Sequence, residues 1–214
     1  MYKLIIGNKN YSSWSLRPWL LMKYHSIPFD EIKIPLYAET SKQQLLQYSA
    51  AGKVPVLQTG EHNIWDSLAI CETIAERHPD KFCWPQNPHK RALARAICSE
   101  MHSGFMALRS ALPMNCRKSM VFSEISMELQ IDIERVCTLW RDCLASSTGP
   151  FLFGDFSIAD AFYAPVVLRF ISYGIKVGDL EAQYMQTILA LGSVQEWVAQ
   201  GRAETETIPE AEID

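Results

Sequence analysis

The feature that most constrains this chain is a change of grain near residue 80: short β-rich runs alternate with helical ones before it, and only helical patterns follow. Lys3–Gly7 is an apolar run suited to a buried strand. In residues 15–25, Leu16, Trp19, Leu20 and Lys23 recur at helical spacing, and Pro18 is expected in the first turn, where a missing N–H costs nothing. Ile32, Ile34 and Leu36 alternate like a half-buried strand. Residues 41–48 read as helix. Residues 54–59 and 63–66 read as a hairpin turned at Gly60-Glu61. Residues 67–77 return to helix, with Leu68, Ala69, Ile70, Ile74 and Ala75 as an apolar stripe.

The order β-α-β-α-β-β-α predicts an α/β unit, a four-stranded mixed sheet with helices packed on it, over residues 1–80. Prolines 79, 85 and 88 mark a linker, placed at 81–89. Residues 90–214 read as an all-α domain. Its expected helices are 90–112, 123–146, 157–173 and 179–200, broken by Pro113, Thr148-Gly149-Pro150 and Gly174. Pro165 falls inside the third of these and predicts a kink rather than a stop.

Composition removes several function classes. A net charge of −4 on 214 residues argues against a nucleic-acid surface, which needs a basic stripe. The N-terminus lacks the apolar length of a secretory signal, and no run approaches a membrane span, so a cytoplasmic protein is expected. Six cysteines include no CxxC pair and are expected to be structural, reduced thiols. His25, His62, His78, His89 and His102 show no metal-ligand spacing, and no metal is expected. No P-loop, G-x-G-x-x-G or Ser-His-Asp order appears.

Chemistry concentrates at two strand–helix junctions and at the head of one strand. Ser12 and Ser13 follow the first strand and open a helix, where backbone N–H groups and the helix dipole favour an anion. Ser13 or Ser15 can equally serve as a plain N-cap. Val54-Pro55 heads a strand that cannot make its full ladder, which fits either an edge strand or a cis peptide exposing the Val54 backbone. Asp66-Ser67 can hold the ammonium and carboxylate of an amino-acid head group, or simply cap a helix. Ser157-x-x-Asp160 is a capping-box pair with a structural reading.

Taken in this order and spacing, these signals resemble the glutathione transferase superfamily across nearly the whole chain. SSWSLR is similar to the SSCSWR motif of the zeta class, which includes maleylacetoacetate isomerases; AGKVPVL and DSLAICETIAE resemble the matching zeta segments, and GDFSIADAFYAP resembles the superfamily's helix-capping motif. The resemblance implies a thioredoxin-like N-terminal domain, glutathione as co-substrate, a small electrophile as acceptor, and a homodimer. It makes Ser12 or Ser13 the hydroxyl on the glutathione sulfur. It makes Val54, held by a cis Pro55, the clamp on the cysteinyl part, and Asp66 and Ser67 the holders of the γ-glutamyl end. Trp14 stands where the zeta motif has its cysteine, which counts against zeta-type isomerase and dehalogenating activity. Arg169 lies about one turn before the family's substrate arginine in a simple alignment, and that role is not carried over.

Residues 101–109 are the candidate acceptor wall: Phe105 suits an aromatic or alkyl group, and His102 or Arg109 an anionic one. Met101, Phe105 and Leu108 also fit a plain core stripe. The energetics are within reach of one serine. Lowering a thiol pKa of about 8.5 by two requires roughly 2.7 kcal/mol. A hydrogen bond to a charged group supplies about 1.5–3 kcal/mol, and a helix N-terminus about 0.3–1. The expected function is glutathione transfer to small electrophiles. The alternatives are a glutathione-dependent cis–trans isomerase of maleylacetoacetate type and a non-catalytic binding module on the same fold.

Overall fold

The structure, a computed structural model, describes residues 1–60 and 62–213. Glu61, half of the expected hairpin turn, lies outside the described residues.

The N-terminal half follows the expected order: β1 (Tyr2–Ile6), α1 (Ser13–Tyr24), β2 (Phe29–Lys33), α2 (Ser41–Leu46), β3 (Val56–Gln58), β4 (Asn63–Trp65) and α3 (Ser67–Arg77). The strands form one sheet in the order β2-β1-β3-β4. β1 pairs parallel with β2, and β3 pairs antiparallel with β1 and β4, with Leu57 opposite both Leu4 and Ile64. Side chains alternate across the central strand. Leu4 and Ile6 enter the main core, while Ile5 joins Ile34, Leu45 and Val56 on the other face.

Helix α1 starts two residues earlier than its apolar spacing suggests, because Ser12 is its N-cap and accepts from the Ser15 N–H. Pro18 therefore sits in the helix interior rather than the first turn. There it removes the N–H that would reach the Trp14 carbonyl.

Among the described residues six α-helices follow where four were expected: α4 (Pro88–Ser103), α5 (Met106–Ala111), α6 (Met127–Ala145), α7 (Ile158–Ser172), α8 (Asp179–Leu189) and α9 (Gly192–Ala203). The expected 90–112 helix breaks after Ser103. Gly104 closes α4 by donating to the Glu100 carbonyl at 2.8 Å, and Phe105 then turns through a left-handed conformation at φ 60°. The 179–200 helix breaks at Ala190 and Leu191, before α9. α4 begins inside the expected linker, with Asn87 capping and Pro88 at its first position.

Helix α7 runs through Pro165 without stopping. Its capping box forms: the buried Asp160 carboxylate accepts from Ser157 N and Oγ, Leu152 N and the Tyr184 hydroxyl at 2.9–3.2 Å. All six cysteines are buried and unpaired. Two packing relations position the site. Helix α1 lies against both α3 and α7, so one continuous core joins the two halves of the chain. Residues 204–212 return to the β1–α1 loop, where the Glu204 carboxylate accepts from the N–H groups of Lys9 and Asn10.

Candidate active site

The N-terminus of α1 presents two serines of different bonding. Ser12 Oγ accepts from Ser15 N at 3.3 Å and donates to Ser15 Oγ at 2.7 Å, and Ser15 Oγ in turn accepts from Gly7 N at 3.1 Å. Ser13 Oγ accepts from Arg169 Nη2 at 3.1 Å. Each serine is 5% exposed. Arg169 comes from α7 and is fixed by a second bond from Nη1 to the Leu112 carbonyl.

At the second junction the chain takes the form that the family resemblance implies, and the edge-strand alternative fails because β3 lies inside the sheet. The Val54–Pro55 peptide is cis. Asp66 is the N-cap of α3, held at φ 76°, with Oδ1 accepting from Leu68 N at 2.8 Å. Ser67 is buried and receives Arg17 Nη1 at 3.4 Å.

Three recesses share Trp14 and Val54. One of about 300 Å³ runs past Lys53 and Pro55 to Asp66 and Ser67. A second of about 470 Å³ leads past Tyr37 to Lys42 and Gly52. The third, of about 260 Å³, holds Ser12, Ser13, Arg109, Arg169 and three residues of the C-terminal tail, Ile208, Glu210 and Ala211. Ser12, Ser13, Val54, Pro55, Asp66, Ser67 and Arg109 are thus brought to one groove.

The other two candidates sit differently. His102 donates from Nε2 to Asp66 Oδ2 at 3.0 Å and meets the Trp14 ring edge-on at 5.2 Å, which ties it to the Asp66 end of the groove. Phe105 is 6% exposed and belongs to the main core, as do Met101 and Leu108. The break at Gly104 lets its left-handed backbone turn the ring inward, so the core reading of this stretch holds.

The electrostatics are one-sided. Arg17 Cζ lies 4.2 Å from the Trp14 ring centre and 4.4 Å from that of Phe162, and its Nε has no partner among the described residues. Arg109 stacks on Trp14 at 4.9 Å. Burial, with Arg109 adding repulsion, pushes the pKa of both Arg17 and Arg169 down to about 9. Burial also lowers Arg109, against the pull of Asp132. The arginines engaged in ion pairs among the described residues are Arg95, Arg117, Arg135 and Arg141, all elsewhere. Arg17 and Arg109 thus stack on Trp14 and Arg169 lines the adjoining recess, and among the described residues none of the three forms an ion pair with a carboxylate. Burial lowers the pKa of His102 despite Asp66, so its ring is neutral near pH 7 and can donate one N–H. Among the described residues no cluster of His, Cys, Asp and Glu is arranged to hold a metal ion, and no helix is long and apolar enough to cross a membrane.

Sequence reasoning gave no role to Arg17, Arg169 or the tail. The available signal for Arg169 was a single charge within the apolar run AFYAPVVLRFI.

This arrangement can receive an extended anionic ligand, with a carboxylate at the α3 N-terminus beside Arg17 and a polarisable anion at the α1 N-terminus beside Ser13 and Arg169. The chain matches the family models "Glutathione S-transferase, N-terminal domain" over residues 11–77 and "Glutathione S-transferase, C-terminal domain" over 120–199. It is similar to a probable maleylacetoacetate isomerase of Caenorhabditis elegans, 31% identical over 158 residues, covering 72% of each chain. Maleylacetoacetate isomerase of Mus musculus is 30% identical over 164 residues, covering 72% of this chain and 71% of the other. Among solved structures, a glutathione transferase homolog from Burkholderia gl BGR1 with bound glutathione superposes at a TM-score of 0.74 and 23% identity, over 95% of this chain and 99% of that one. The chain belongs to the glutathione S-transferase family of enzymes.

Proposed function

We propose that the protein binds glutathione along the Trp14 groove and activates its thiol for attack on a small electrophile. The γ-glutamyl ammonium meets Asp66 and its carboxylate meets the Ser67 hydroxyl and N–H, with Arg17 behind. The cysteinyl part pairs with the backbone of Val54 beside Pro55. The glycyl carboxylate points toward Lys42 and Lys53. The sulfur then lies at the α1 N-terminus, beside Ser12 and Ser13. The thiol gives its proton to solvent and is held as thiolate by a serine O–H, which donates and does not ionise. The sulfur lone pair forms the C–S bond, and the leaving group departs with the bonding electrons. The recess bounded by Arg109, Pro113, Met114 and Ile208 accommodates the acceptor.

The single observation that carries this reading is the set of arginines without ion pairs among the described residues, Arg17 and Arg109 on Trp14 and Arg169 on Ser13, gathered at two helix N-termini. A tripeptide with two carboxylates and a thiolate supplies the missing anions. The relatives' names favour a second reading, a glutathione-dependent cis–trans isomerase of maleylacetoacetate type. There the sulfur adds to a double bond, the adduct rotates about the resulting single bond, and the same C–S bond then breaks. Trp14, in place of the motif's cysteine, weighs against it. We also propose a homodimer, with exposed Trp65, Leu93, Met127 and Ile131 available as apolar surface.

Retention on immobilised glutathione, followed by turnover of an aryl halide and of maleylacetoacetate, tests these readings. Conjugation supports the transferase, and isomerisation alone supports the second reading. Retention without either leaves a binding module.

A further inference from the structure

Resting on the glutathione-activating reading, we propose that Arg169 is a positioning residue that makes Ser13, rather than Ser12, the hydroxyl presented to the sulfur. The two serines differ in what they have left to give. Ser12 Oγ is closed into a set with Ser15 N, Ser15 Oγ and Gly7 N. It accepts one hydrogen bond and spends its own hydrogen on Ser15. Ser13 Oγ accepts from Arg169 Nη2, and among the described residues nothing takes its hydrogen. A hydroxyl that accepts from a fixed cation turns its O–H away from that cation, and here the remaining direction is the recess.

Arg169 is suited to that task. Its second bond, to the Leu112 carbonyl, locks the guanidinium plane. It is 5% exposed, yet it forms no ion pair among the described residues. A buried cation without a counter-charge is costly, and a thiolate one hydroxyl away relieves that cost. The polarised Ser13 O–H becomes a stronger donor to sulfur. The other charged or titratable groups facing the recess are Arg109 from α5, Tyr11 from the β1–α1 loop, Tyr37 between β2 and α2, and Glu210 from the tail. Arg17 of α1 and Tyr173, the C-cap of α7, lie farther along the same interface. Glu210 is exposed, whereas Arg169 is buried and bonded directly to Ser13.

The test compares the wild type with Arg169→Lys, Arg169→Met, Ser12→Ala and Ser13→Ala by following the thiolate absorbance of bound glutathione against pH. Affinity for S-methylglutathione, whose sulfur carries no proton, is measured in parallel. The expected result is that Arg169→Met weakens ionisation of the bound thiol about tenfold, one pKa unit, and Arg169→Lys does so by less. S-methylglutathione affinity stays unchanged. In a Ser13→Ala background, Arg169→Lys adds nothing further, because the relay is already broken. Unchanged ionisation in the Arg169 variants overturns the proposal, and so does loss of activation in Ser12→Ala but not Ser13→Ala. If Arg169→Met does not fold, the Lys variant and its combination with Ser13→Ala decide the matter. A wild type that binds glutathione without lowering its thiol pKa refutes the activating reading itself, a separate outcome.

Discussion

Arg17→Met removes a buried charge while keeping most of the side-chain volume. The guanidinium is 1% exposed, packed between Trp14 and Phe162, with one long hydrogen bond to Ser67 and an unpartnered Nε. Its pKa of about 9 corresponds to roughly 5 kcal/mol of preference against the charged form. Two ring faces return about 1–2 kcal/mol each through cation–π attraction, and methionine retains the apolar packing. The net expectation is an apo protein more stable by about 1–3 kcal/mol, or roughly 3–9 °C in Tm at this chain length. Ligand response should move the other way. At a hundred times its Kd, glutathione stabilises the wild type by about 2.7 kcal/mol. The variant lacks the cation behind Ser67 and should lose most of that shift at the same concentration. Thermal unfolding with and without glutathione reads both signs. A variant less stable than wild type, with an undiminished glutathione shift, would refute the view of Arg17 as a ligand-directed charge and make it an ordinary packing element.

Asp160→Asn replaces a carboxylate that accepts four buried hydrogen bonds with a group that turns an NH₂ toward two of those donors; urea unfolding should show a loss of about 3 kcal/mol. His102 has a folded pKa below its ordinary value because burial disfavours its charged form, so its contribution to stability is present above about pH 6.5 and is lost as pH falls toward the folded pKa. His102→Gln should flatten that part of the stability-against-pH curve, measured in urea from pH 5 to 8. Deleting residues 207–214 removes Ile208, Glu210 and Ala211 from the recess, together with the 2.5 Å bond from Tyr11 to Glu212. Steady-state kinetics should show changed KM values for bulky acceptors, while the Kd for glutathione holds.

The junction residues were legible because capping is local chemistry. Asp66 and Ser157 each lie where the hydrophobic period changes, and each caps a helix; at the first junction the cap is Ser12, one residue before the Ser13 and three before the Ser15 that the pattern offered. The mixed sheet was legible too, since two helical connections and one short hairpin leave few topologies open. Helix breaks were less so. Gly104 is visible in the sequence, but the left-handed turn of Phe105 depends on core space only the packed chain supplies. Arg169 reaches Ser13 across 156 residues because α1 packs on α7, a tertiary relation with no local signature. The tail carries no period at all. Its place is set by contacts from Lys9, Asn10 and Arg117.

Most direct for the central claim is the pKa of the glutathione thiol bound to the wild-type protein, read from thiolate absorbance between pH 5 and 10. With a serine donor and a helix N-terminus acting on the sulfur, the value should fall by about two from its free value near 8.5 and rise again in Ser13→Ala. Saturating glutathione that titrates at its free value in the wild type would contradict thiol activation, leaving a glutathione-binding protein on a transferase fold.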